Sequence, residues 1–272
     1  MVPSVTISNA VEQADLHRLS ATLATIRSLH ERTDSPEHFL KAASGTALAA
    51  DDAMSNPFQV SHFASAAISV AADNLDALRR LTEGCQTCEP NTMIFTTFAH
   101  WSLLRAGLEN AGRAFWLLRP ESRSERVMRA LRIQAANVIN SDAAEKKTPR
   151  GPRKPKAQRI ARVKDVAARA GLPRNKVEDQ PKYSEIMAYA GDQIAGQPLH
   201  AEFLWRAASG ATHGDSWAVL SLQDREAVDA ADGVTSQRLT VSVRIMSVVT
   251  GEAVAVALAA LNQFDRRNHP PA

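Results

Sequence analysis

The sequence predicts an all-α fold: a helical bundle of roughly eight helices with a basic, proline-containing loop in mid-chain. Three observations carry this. Apolar residues recur at three- and four-residue steps over most of the chain. Helix-starting and helix-stopping residues bracket those stretches. No run of strands alternating with helices appears, so nothing supports a parallel sheet.

The first helix is expected over 11–31, where Val11, Leu16, Leu19, Leu23, Ile26 and Leu29 follow helical spacing. Ser35, Pro36 and Glu37 supply an N-cap, a proline at the first helical position and an early acid. A second helix should run from there to about residue 50. Asn56-Pro57 marks a turn. The third helix, 58–82, has an alanine-rich face and ends on Arg79 and Arg80, where the helix dipole favours cations. The loop Gly84-Cys85-Gln86-Thr87-Cys88-Glu89-Pro90 follows. The fourth helix, 92–118, carries Phe95, Phe98, Trp101, Leu104, Leu108, Phe115, Trp116 and Leu117. Two of the four tryptophans sit here, so it is expected to be the central helix. Arg119-Pro120 stops it. A fifth helix starts at Ser122 or Ser124 and runs to about 146.

Pro149, Pro152 and Pro155 fall at every third position, so 147–156 reads as a loop or extended linker. A short helix over 157–170 ends at Gly171. Two further helices are expected at 183–194 and 199–212, and 216–234 reads as irregular. Over 236–265, Leu239, Val241, Val243 and Ile245 alternate with polar residues, which is a strand pattern. The absence of turn signals until Asn268 and the alanine-rich second half favour one long helix instead. An N-terminal helical pair, 1–56, is expected to pack on a main bundle, 57–272, with a basic insertion at about 146–180.

The 272 residues are 44% hydrophobic and 22% charged, which excludes a disordered chain. Two cysteines exclude a disulfide scaffold and suit a reducing cytosol. The start lacks the basic region of a signal peptide. The most apolar stretch, 241–261, is interrupted by Arg244 and Glu252, so no membrane span is expected and the location is read as cytoplasmic. The net charge of +3 conceals an asymmetry. Twelve of the 32 Lys and Arg, but one of the 29 acids, fall within 146–176. The remainder is therefore net acidic. The basic segment can face a polyanionic partner or dock on the acidic body.

The stretch with most chemistry is Trp205-Arg206-Ala207-Ala208-Ser209-Gly210-Ala211-Thr212-His213-Gly214-Asp215. Arg206 and His213 are nearly two helical turns apart, on one face and about 10 Å apart along the axis. Gly214 is placed to end the helix, with His213 at its negative end. An arginine followed by six residues and a histidine, late in a helical bundle, resembles the signature of the HEPN superfamily. The resemblance implies an often dimeric helical bundle and a metal-independent ribonuclease or toxin acting on RNA. It implies that His213 serves as general base or acid and that Arg206 stabilises charge on the scissile phosphate. Ala207 stands where active members usually carry a polar residue.

A broader resemblance rests on Arg105-Ala106-Gly107-Leu108-Glu109-Asn110-Ala111-Gly112-Arg113-Ala114-Phe115-Trp116-Leu117-Leu118, on Glu125-Arg126-Val127-Met128-Arg129 and on the turn at 209–214. These look like a group of uncharacterised, mostly actinobacterial helical proteins, which implies a shared fold and no activity. It suggests that Arg105, Glu109 and His213 meet in one polar centre. Arg105 and Glu109 are also an i,i+4 pair on an otherwise apolar helix, readable as a structural ion pair or as an orienter of His213.

Residues 163–177 resemble the helix-turn-helix of lactose-repressor-type regulators, with a recognition helix starting near Pro173. The alternative is one helix plus a turn inside the bundle. Residues 148–156 resemble an AT-hook, though Pro152 separates Gly151 from Arg153. Arg150, Arg153, Lys154, Lys156 and Arg159 are the candidate nucleic-acid-binding residues, for RNA or DNA. Cys85 and Cys88 are half of a zinc set, so no metal site and no cofactor are expected. Two classes of function stand open. One is the HEPN-like ribonuclease, as a homodimer, acting at Arg206, His213, Glu109 and Arg105. The other is a non-catalytic nucleic-acid-binding or partner-binding protein that uses 146–176.

Overall fold

The computed structural model describes residues 10–34, 41–85, 87–88, 92–196, 199–232 and 234–270. Ten α-helices and one β-hairpin are described. α1 (Ala10–Asp34) buries Leu19, Leu23, Ile26 and Leu29 against α3 (Val60–Glu83) and α10 (Val243–Asn268). α2 (Ala47–Ser55) begins at Thr46, whose hydroxyl accepts the Ala49 N–H at 3.2 Å. The second helix therefore starts later than expected. Ser35, Pro36 and Glu37 lie outside the described residues, while 41–46 is not helical and Thr46 provides the cap.

α4 (Ala99–Leu118) is the central helix, packing against α3, α10, α7 (Tyr183–Gln193) and α8 (Ala201–His213). It starts seven residues later than predicted, because the preceding segment is tied to the end of α3 and to His100 instead. Ile94 N–H donates to Thr82 O at 2.7 Å, and Thr96 N–H donates to Nδ1 of the buried His100 at 3.2 Å. α5 (Arg123–Glu145) is capped by Ser122 and carries α6 (Lys156–Arg169) on its outer side.

The last third departs most from the prediction. The expected irregular stretch contains α9 (Ser216–Leu222) and β1 (Gln223–Ala231), and the expected single long helix is split. β2 (Val234–Val241) pairs antiparallel with β1, and only then does α10 begin. The alternation through Leu239 and Val241 was thus a true strand signal. Ala231 pairs with Val234, and Asp232, which follows β1, has φ +52°. Asp-Gly between strands is a strong hairpin signal, and the reading of 216–234 as irregular passed over it.

α10 is long and apolar enough to cross a membrane. Its apolar face lies inside the protein, against α4 and α1.

Arginines tie the bundle together at the C-terminal end of α4. Arg126 sends NH1 to the carbonyls of Pro120 and Glu121, both at 2.8 Å. Arg129 donates to the Trp116 carbonyl at 2.5 Å, and its guanidinium sits between the Trp116 and Tyr189 rings, 4.5 and 4.6 Å from their centres. Arg267 reaches the carbonyls of Leu118, Arg119 and Pro120. A helix leaves its last carbonyls unpaired and negatively polarised, so cationic donors are favoured there.

Candidate functional site

The polar cluster forms where the outer face of α4 meets α8. On α4, Arg105 and Glu109 are one turn apart, and Arg105 Nε donates to Glu109 Oε1 at 2.9 Å. On α8, Trp205 Nε1 donates to the same Oε1 at 2.8 Å. Glu109 is thereby held from two helices. Arg105 NH1 lies 3.1 Å from Nε2 of His213, the last residue of α8. Sequence reasoning had placed Arg105, Glu109 and His213 in one centre, and these contacts join them. Trp205 was not anticipated as a member, although its place beside Arg206 was visible.

A guanidinium has donors only, so Nε2 of His213 is the acceptor in this contact. Both His213 and the cluster's outer edge face solvent, so the site is an open surface rather than a cavity. Two clefts of the described structure lie elsewhere, one beside Trp116 and Arg129, the other beside Pro57 and Arg169.

α8 is continuous from Ala201 to His213, so Gly210 does not interrupt it. Gly210 has a packing role. A Cβ there would stand 2.7 Å from Ala218 Cβ and 3.0 Å from the Trp217 ring, which lie on α9. Gly214 ends the helix at φ +76°, a left-handed conformation that glycine adopts without strain. Arg206 shares a face with His213, but the two are engaged separately. Arg206 is exposed and donates twice to Glu202 Oε1, at 2.9 and 2.7 Å. His213 is met by Arg105 instead. Ala207 is buried.

The basic segment divides into two parts. Arg150, Arg153, Lys154 and Lys156 are exposed and form no ion pair among the described residues. Arg159 differs from that expectation. Its guanidinium is held by Ser141, Asp142 and Glu145 at 2.9, 3.3 and 3.5 Å, which pins α6 to α5. A hydrogen bond from Lys146, together with nearby charges that include Arg159, holds the Asp142 carboxyl below its usual range. Further on, Lys164 pairs with Glu178, Arg174 with Asp165, and Lys176 with Asp179. Much of the positive charge is answered within the same region.

The resemblance to a helix-turn-helix is corrected here. No recognition helix follows α6, only a three-residue 3-10 turn at Arg174–Lys176. Val177 is buried, and Glu178 bridges back to Lys164, so the segment folds down onto the bundle.

Among the described residues, no group of three or more His, Cys, Asp and Glu is arranged to hold a metal ion. In comparison with known proteins, the chain matches no family model, no curated protein and no solved structure.

Proposed function

We propose that this chain is an HEPN-like, metal-independent ribonuclease, a toxin or defence component that acts on RNA through Arg105 and His213. The observation that carries this reading is the 3.1 Å contact between Arg105 and His213, residues 108 positions apart that two helices bring together. A base and a phosphate-binding cation on one open surface are the elements of ribose-assisted cleavage.

The steps follow from the donor pattern. A backbone phosphate arriving at the site takes the Arg105 guanidinium, because an anion is a better acceptor than a neutral imidazole. That releases Nε2 of His213. Nε2 then removes the 2′-hydroxyl proton, and the 2′-oxygen attacks phosphorus. The 5′-oxygen leaves with the proton that His213 took from the 2′-hydroxyl, giving a 2′,3′-cyclic phosphate and a 5′-hydroxyl and returning the ring to its neutral form. Arg206, swinging from Glu202, adds a second cation for the charge that builds on phosphorus. Glu109 positions Arg105 and does not touch the reacting atoms. In a homodimer, two such clusters would share a cleft, with one histidine as base and the other as acid.

The test is cleavage of RNA by purified protein in the presence of EDTA. His213→Ala should lower the rate by roughly 10²–10⁴. Cleavage that is equal in the wild type and His213→Ala, or that EDTA abolishes, would remove the proposal.

A second reading is favoured by the exposed, unpaired Arg150, Arg153, Lys154 and Lys156. Here the chain binds RNA or DNA without cleaving it. Affinity should then fall steeply with salt and weaken when 147–156 is deleted. Unchanged binding by the deletion would exclude that loop.

A further inference from the structure

The chain has two cysteines in 272 residues, and both lie in one exposed turn between α3 and α4. The base of this loop is fixed. Gly84 ends α3 with φ +59°, and its N–H donates to Arg80 O at 3.0 Å. Ile94 N–H donates to Thr82 O at 2.7 Å, and the Ile94 side chain packs on Gly84 so closely that a Cβ there would stand 2.6 Å from Cδ1. Within the loop, Cys88 N–H points at both the carbonyl and the sulfur of Cys85, at 3.2 and 3.3 Å. The two sulfurs stand 3.0 Å apart. A disulfide needs about 2.05 Å, so closing it requires about 1 Å of movement. No third His, Cys, Asp or Glu of the described residues joins the pair, as a tetrahedral metal site would require.

We infer that Cys85 and Cys88 form a redox-active dithiol that closes reversibly to a disulfide by exchange with low-molecular-weight disulfides. Cys85 is the attacking sulfur, because the Cys88 backbone N–H stabilises its thiolate. The hydrogen bond with Cys85 pushes the Cys88 thiol up, which suits Cys88 to the second step. The Cys85 thiolate attacks one sulfur of the oxidant, forming a mixed disulfide and expelling one thiolate. The Cys88 sulfur then attacks Cys85, forming the intra-turn disulfide and expelling the second thiolate. The two protein protons pass to the two leaving thiolates. Two electrons move from the protein to the oxidant, which ends as two thiols. The fixed loop base keeps the sulfurs together, so the second step outruns loss of the mixed disulfide.

The test equilibrates the full chain with mixtures of reduced and oxidised glutathione, quenches with acid and measures intact mass. The wild type should convert to a species lighter by two hydrogen atoms, with little glutathionyl adduct. An internal disulfide releases two thiols. Halving the reduced glutathione at fixed disulfide should therefore raise the oxidised-to-reduced ratio about fourfold, against about twofold for a mixed disulfide. Cys88→Ser should instead accumulate one glutathionyl group on Cys85, and Cys85→Ser should form its adduct more slowly. Both sites are exposed, so far-ultraviolet circular dichroism should confirm that the variants fold like the wild type. A wild type that gathers only glutathionyl adducts with first-power dependence would overturn the inference. So would stoichiometric zinc that blocks exchange.

Discussion

Replacing Arg126 by methionine tests how the bundle is held. Arg126 is 2% exposed and Asp51 is fully buried. The guanidinium makes a bidentate pair with Asp51, Nε to Oδ2 at 2.5 Å and NH2 to Oδ1 at 2.8 Å, and donates to two carbonyls after α4. One side chain therefore joins α2, the end of α4 and α5. Methionine keeps the apolar stem but takes the bidentate donor from a buried carboxylate and the Arg126 N–H from the Glu121 carbonyl, while Pro120 O keeps its bond from Arg267. Breaking a buried pair from one side costs about 3–5 kcal/mol. The half-exposed Arg123 stands 3.3 Å from Asp51 Oδ1 and partly compensates, which favours the lower end. About 3 kcal/mol corresponds to a fall in Tm of roughly 6–12 °C for a domain of this size. Equilibrium urea unfolding and thermal melts measure it. The companion is the double variant Asp51→Asn with Arg126→Met, which removes the stranded charge. It should recover at least about 1 kcal/mol of the loss, since neighbours in one network are non-additive. A single variant within about 0.5 kcal/mol of wild type, or a double variant showing the plain sum of the singles, would refute this account.

Three further outcomes follow from the packing and the site. His100 is fully buried, and burial pushes its pKa down to about 4. The unfolded ring takes up its proton near 6.5, so this contribution to stability is complete above that pH. It is lost as pH falls towards 4, by up to about 3 kcal/mol. His100→Gln should flatten the urea-unfolding profile across that window, and an unchanged slope would contradict it. Gly210→Ala should destabilise the protein by about 1–2 kcal/mol despite alanine's better helix propensity, because its Cβ collides with α9. A blue- or red-shifted Trp217 emission should accompany this, and a stabilised variant would mean that α9 does not pack there. Glu109→Gln keeps the shape of the cluster but weakens its hold on Arg105. RNA cleavage should fall by less than in His213→Ala, and cleavage lost as fully as with His213→Ala would place Glu109 among the reacting groups rather than behind them.

Much of the helical plan was legible because each helix carries its own periodicity and its own caps. The face of α1 was readable from Leu19, Leu23, Ile26 and Leu29, and α4 was readable as the centre from its tryptophans. Errors fell where two local signals competed. Thr46 rather than Ser35 starts α2, and the alternating residues through Leu239 and Val241, set aside for the alanine content that follows them, form β2. In the site, Arg105 with Glu109 was readable from i,i+4 spacing alone. The Glu109–Trp205 bond was not, since no local pattern connects positions 96 apart.

The sequence by itself determined the helical class, the central helix and the concentration of positive charge in 146–176, because periodicity and composition are local properties. Tertiary structure alone decided which arginine meets His213. Arg105 and Arg206 are both chemically suited, and the spacing within one helix pointed to Arg206. The packing of α4 on α8 brings Arg105 to 3.1 Å, while Glu202 occupies Arg206 one turn away. It also decided which cations of the basic segment stay exposed. Arg159 and Lys154 read alike in sequence. The positions of Asp142 and Glu145 on α5 neutralise Arg159, while Lys154 stays in solvent.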